Sequence, residues 1–183
     1  MKHCLAQVKA YRARAVFAML LLLPLLAAAS GTLVADLEQR LRTDGVDSVN
    51  AHLGAQALLM AKLNQSAADC DPQAIDLTVK LSRTKNAGAG DLHNESLRIA
   101  VGTCTELVLS LLSPAEVPKI CASVSTWTVT ETARELRRRI GQIEIDERIR
   151  PIRHGKACSN AYRLELQNTR VGLRVRQPNS QSR

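Results

Sequence analysis

The chain is poor in aromatic residues, with one Trp, two Tyr and one Phe among 183 positions. Tyr11 and Phe17 fall in the first thirty residues, so only Trp127 and Tyr162 lie beyond them. Sugar sites and single-strand nucleic-acid sites stack their ligands on several flat side chains, and no such set is present here. The strings of common catalytic sites are missing too: no glycine-rich phosphate loop, no serine elbow, no His-Glu-x-x-His, no Cys-x-x-Cys. Nor is there an apolar run of the roughly 18 to 20 residues that a membrane-spanning helix needs. The longest, Ala15 to Leu26, is interrupted by Pro24.

That short run follows Lys2, Lys9, Arg12 and Arg14 and precedes Ala27-Ala28-Ala29-Ser30-Gly31. Basic, apolar and small-residue segments in this order make a secretory signal peptide over residues 1–29, with cleavage expected after Ala29 and no transmembrane segment left behind. The expected location is the periplasm of a bacterium or the medium outside it. Cys4 leaves with the signal, and Cys70, Cys104, Cys121 and Cys158 remain. An even number of cysteines in an oxidising compartment predicts two disulfides, for which three pairings are open. Cys70 and Cys104 stand about equally far from the turn Asn86-Ala87-Gly88-Ala89-Gly90, as two levels of an antiparallel hairpin do. Cys104 and Cys121 are nearly symmetric about Ser113, but Pro118 spoils that second hairpin. The balance leans to Cys70 with Cys104 and Cys121 with Cys158.

Apolar spacing is helical through most of the chain. Leu97, Val101, Cys104, Val108 and Leu111 alternate at four and three, with Leu107, Leu109 and Leu112 on the flanks. This predicts a core helix over 97–112, capped by Asp91 or Asn94. Leu33, Leu37 and Leu41 predict a first helix ended by Asp44-Gly45. Val49, Leu53, Met60 and Leu63 predict a second, capped by Ser48 and followed by a loop from Asn64. Asp71-Pro72 reads as a cap and first turn, yet Ile75, Leu77, Val79 and Leu81 alternate as a strand does; with no strand partner nearby, helix is favoured. Ser113-Pro114-Ala115-Glu116 and Thr128-Val129-Thr130-Glu131 are capping boxes, the first opening a short broken helix through Cys121. After the second, Val129, Ala133, Leu136, Ile140 and Ile143 share one face, with a bend expected near Gly141 to Ile145 and an end before Pro151. Residues 157–168 predict a last helix with Cys158, Ala161 and Tyr162 inward, after which Val171, Leu173 and Val175 suit an edge strand or extended arm. The fold class is all-α: a compact, disulfide-linked bundle of about five to six helices in one domain over 30–176, with a disordered tail over 177–183.

Charge is unevenly spread. Residues 30–127 carry 8 Lys and Arg against 11 Asp and Glu, a net of −3, whereas residues 128–183 carry 13 against 6, a net of +7. Arg137, Arg138, Arg139, Arg148, Arg150 and Arg153, followed by Arg170, Arg174 and Arg176, make the positive end. Arginine favours forked recognition of carboxylate or phosphate, so this end is the candidate contact for a partner. That partner is expected to be a protein, with an anionic envelope surface as the alternative and nucleic acid disfavoured by compartment. The bland alternative is a solvated helix face on which Glu131, Glu135 and Glu147 form local pairs.

Catalysis has few candidates. Beyond the signal the histidines are His52, His93 and His154. A thiol enzyme would use Cys104 or Cys158 with His93 or His154 as base, but Cys104 lies on the apolar face of its helix. A zinc site would combine His154 and Cys158 with Cys121, but Gly155 and Pro151 argue against a continuous helix there. Asp69 with Asp71, and Asp146 with Glu147, read as solvated loop charges. No enzyme, cofactor or metal is expected, and the chain is read as an exported binding protein.

The closing segment Cys158-Ser159-Asn160-Ala161-Tyr162-Arg163-Leu164-Glu165-Leu166, with the helical four-cysteine plan, resembles small periplasmic immunity proteins that protect bacteria from cell-wall amidases delivered by type VI secretion. The resemblance covers the last quarter of the chain. It implies an inhibitor that plugs an enzyme's cleft without catalytic residues of its own, and no inhibitory residue is carried over.

Overall fold

The computed structural model describes residues 32–124 and 128–175, with side chains through 169. The expected signal peptide, Trp127 and the tail 177–183 lie outside the described residues. Within them every regular element is a helix: α1 (32–44), α2 (Val46–Ala55), α3 (Ala57–Ala68), α4 (Pro72–Leu81), α5 (Ala87–Thr103), α6 (Thr105–Leu111), α7 (Val117–Ile120), α8 (Val129–Ile145) and α9 (Gly155–Val175). None is long and apolar enough to cross a membrane.

Local chemistry sets many of the boundaries. α1 stops at Gly45, whose φ of 81° is left-handed and costs a glycine little. The ambiguous stretch after Asp71 is helical because the cap decides it. The Asp71 carboxylate accepts from Gln73 N at 2.9 Å and Ala74 N at 3.3 Å, and Pro72 occupies the first turn, where a missing N–H costs nothing. Burial completes the choice: Ala74, Ile75, Leu77, Thr78, Val79 and Leu81 are all buried, a helix surrounded by neighbours rather than a half-buried strand. Asp71→Ala is expected to cost about 1 kcal/mol in urea unfolding. At the Thr128 box the cap itself is made, Glu131 N donating to Thr128 Oγ1, while the Thr128 hydroxyl donates to the Glu131 carboxylate. In the Ser113 box the Ser113 N–H donates to the Glu116 carboxylate at 2.6 Å.

Other boundaries depart from the sequence reading, and for stated reasons the described helices number nine rather than five or six. The expected second helix is two, broken at Gln56 (φ −131°) directly after Gly54-Ala55. It begins at Val46 rather than after Ser48, because Gly45 already turns the chain. α3 runs through Asn64-Gln65-Ser66 to Ala68, since Leu63 and Ala67 continue its buried stripe. The core helix starts at Ala87 rather than at Asp91 or Asn94: Asn86 Oδ1 accepts from Ala89 N, so a stretch that reads as a loose turn is a first helical turn. It is interrupted at Cys104 (φ −117°, ψ 39°), the residue bridged to Cys70. α9 continues through Val175 where an extended arm was an option, because its backbone groups find partners within the helix and no strand is present among the described residues to supply others.

α3, α4 and α5 pack on one another, with α2 against α3 and α4, and α6 against α4 and α5. α8 and α9 form an antiparallel hairpin with the most extensive helix pairing in the fold, and α7 links that hairpin to α5. Both disulfides have the favoured pairing: Cys70–Cys104 joins the α3–α4 turn to the α5–α6 break, and Cys121–Cys158 ties the end of α7 to α9. They close loops of 34 and 37 residues. Bridges of that span contribute about 2 to 4 kcal/mol each.

Candidate functional site

α8 shows its arginines on more than one side, and the structure sorts them. Arg139 points inward and is 6% exposed. Its Nε donates to Glu135 Oε1 at 2.8 Å, and its Nη1 donates to the Arg98 carbonyl at 2.7 Å and to the Tyr162 hydroxyl at 3.1 Å. The guanidinium also lies 5.7 Å from the centroid of the Tyr162 ring. One side chain thus joins α8, α5 and α9. Gly102 makes room for it: a Cβ there would stand 2.7 Å from Arg139 Nη2. Arg138 reaches the same glycine from outside, donating to the Gly102 carbonyl at 3.0 Å and to both Glu135 oxygens. Held first by Arg138 and then by Arg139, the Glu135 carboxyl is lowered to about 2. Burial pushes the Tyr162 phenol up.

Arg138 and Arg139 are therefore committed within the fold and are not part of a free anion site. Arg148 is committed too, at 2.8 Å from Asp146 and 3.9 Å from Glu106 across the gap to α6. Of the six arginines singled out from sequence, Arg137, Arg150 and Arg153 are exposed and have no polar partner among the described residues. Arg134, one turn before Arg137, shares that condition. Arg150 and Arg153 sit in the loop before α9, away from the α8 pair in sequence.

Arg137 borders a cleft of about 350 Å³ between α8 and α9. Arg163 stands on the opposite rim, bound bidentately to Glu144 at 2.7 and 2.8 Å. Ile140 and Leu166 supply apolar lining, and Gly141 and Gln167 complete it. A Cβ at Gly141 meets nothing within 4 Å, so this glycine leaves the cleft open. Apolar lining beside the unpaired guanidinium of Arg137, with the Arg163–Glu144 pair on the other rim, suits an apolar side chain next to a carboxylate. The signal for this cleft was present in the sequence as Arg137, Ile140 and Gly141 on α8. Its other wall was not, because Arg163 and Leu166 reach it only through the hairpin.

The thiol and zinc readings lose their sulfur: all four cysteines among the described residues are bridged. His93 is fully buried on α5, where its Nε2–H donates to Asn50 Oδ1 at 2.7 Å while Asn50 Nδ2 donates to the Leu81 carbonyl. Burial lowers its pKa to about 4, and its Nδ1 has no partner. It is a neutral core histidine, remote in role from any base. No group of three or more His, Cys, Asp or Glu placed to hold a metal occurs among the described residues.

No protein-family model matches this chain, and neither a curated protein nor a solved structure does. The segment resembling immunity proteins spans the start of α9, and its Cys158, Ser159, Tyr162 and Leu166 are buried. Four of the residues that carry the resemblance are thus packing residues, none of them on an inserting loop.

Proposed function

We propose that the chain is an exported bacterial protein that acts by binding another protein, and that the α8–α9 cleft is its contact. The observation that carries this reading is the sorting of the arginines. Those buried or paired within the fold hold it together, while Arg137 stands free at the rim of an apolar-lined cleft that no side chain of the described residues fills, with the exposed Arg134 one turn before it on α8. The charge predicts an acidic partner, with an apolar residue seated between Ile140 and Leu166. Two disulfides support placing it outside the cytoplasm, in the periplasm or beyond.

The test is site-specific photo-crosslinking in intact cells, with the probe at Arg137 or, as a control, at exposed Gln39 on α1. A discrete adduct is expected from position 137 alone. It should vanish in Gly141→Leu, which fills the cleft where there is open space and leaves the melting temperature close to that of the parent. No adduct at 137, together with low-salt binding of the purified protein to anionic vesicles, would replace the protein partner with an envelope surface.

A further inference from the structure

The two disulfides differ in ways that bear on chemistry. Cys121 and Cys158 are both 0% exposed. Cys70 is exposed, whereas its partner Cys104 is 7% exposed. Both Cys70 and Cys104 line a cleft of about 450 Å³, as does Thr103, whose Oγ1 lies 3.2 Å from Cys104 Sγ. Cys70 also has a φ of 67°, a left-handed backbone that a residue with a Cβ adopts at a cost. Its neighbours in the chain are Asp69 and Asp71.

We infer that Cys70 is a thiol-exchange site, at which a thiolate from solvent forms a mixed disulfide while Cys104 leaves. The lone pair of the incoming thiolate forms a bond to Cys70 Sγ, the Cys70–Cys104 S–S bond breaks, and its electron pair goes to Cys104 Sγ. The attacking thiol has given up its proton to solvent, and the Cys104 thiolate takes one up, so no further oxidant or reductant enters. Attack falls on Cys70 because it is the exposed member of the pair. Cys104 suits the leaving role because the Thr103 hydroxyl, now shared among the Ala68 and Ala100 carbonyls and Cys104 Sγ, turns its hydrogen to the sulfur as charge develops there. Opening this bridge frees the α3–α4 turn from the α5–α6 break and lets the turn's backbone leave the left-handed region. The other bridge, sealed under α7 and α9, stays closed in the folded protein.

Two carboxylates beside Cys70 repel an anionic thiol, so the probe of choice is cysteamine, whose ammonium they attract. The folded protein is incubated with cysteamine, quenched in acid and mapped by peptide mass spectrometry. Expected are one cysteamine on Cys70, a free thiol on Cys104 and an intact Cys121–Cys158 bridge, with the first bridge opening at least about ten times faster than the second. Thr103→Val, at an exposed position, slows the opening several-fold while the loss of the hydroxyl's bond to the Ala68 carbonyl lowers the melting temperature only slightly. Cysteamine on Cys104, equal rates for the two bridges, or a Thr103→Val rate equal to the parent's overturns the assignment.

Discussion

Arg139→Met is expected to destabilise the fold by about 3 to 5 kcal/mol, whereas Arg138→Met, one residue earlier, costs about 1 kcal/mol or less. The two arginines share Glu135, so the contrast isolates what Arg139 does besides that pairing. Without Arg139, the Glu135 carboxylate keeps Arg138. The Tyr162 hydroxyl loses its partner in a buried setting, at about 1 to 3 kcal/mol, and the Arg98 carbonyl, still bonded within α5, loses its second donor. Methionine fills part of the volume but joins none of the three helices by a hydrogen bond. Lysine at 139 keeps the charge yet has no fork, and is expected to fall between parent and methionine. Chemical unfolding of the three variants measures this. Equal midpoints for Arg138→Met and Arg139→Met would show that the inward guanidinium contributes nothing beyond its carboxylate.

The second large effect is an acid-induced loss of stability from His93. Its pKa falls to about 4 in the fold, from the ordinary 6.5 of an exposed imidazole, because burial disfavours the cation. Between these values the unfolded chain binds a proton that the folded chain does not. Stability from this residue is therefore complete above pH 6.5, declines as pH falls towards 4, and is level below that. The loss integrates to about 3 kcal/mol. Glu135, with its pKa lowered to about 2, contributes its own stability above 4.5 and loses it between 4.5 and 2, so the two groups act in largely separate windows. His93→Gln keeps an amide donor for Asn50 and has no proton to gain. The difference in unfolding free energy between parent and His93→Gln, followed from pH 7 to pH 4, should shrink by the histidine's share. A constant difference across that range would mean that His93 is protonated alike in both states.

Both results concern residues whose role a sequence reading assigned elsewhere. Arg137, Arg138 and Arg139 are consecutive, and as a string they form one basic patch. On a helix they are spread over about 200° at 100° per residue, so they cannot all face one partner. Which of them turns inward depends on what α5 and α9 offer, here a carbonyl at Arg98 and a hydroxyl at Tyr162. His93 likewise stood among candidate bases. Its burial follows from the stripe it shares with Leu97 and Ala100, displaced from view because the helix begins a full turn before the expected cap.

What the chain determined by itself is everything that local chemistry decides. The all-helical class follows from three-and-four spacing. The starts of α4 and α8 follow from Asp71-Pro72 and from the Thr128 box, since a cap and its helix lie within a few residues of each other. The disulfide pairing was within reach because Cys70 and Cys104 lie at matching levels of the α4–α5 hairpin, which leaves Cys121 and Cys158 for each other. Tertiary structure alone decided the interruption at Cys104, the inward turn of Arg139, the neutral state of His93 and the second wall of the α8–α9 cleft. Each of these joins groups far apart in the chain, and a periodic pattern records which face of a helix is apolar without recording which neighbour covers it.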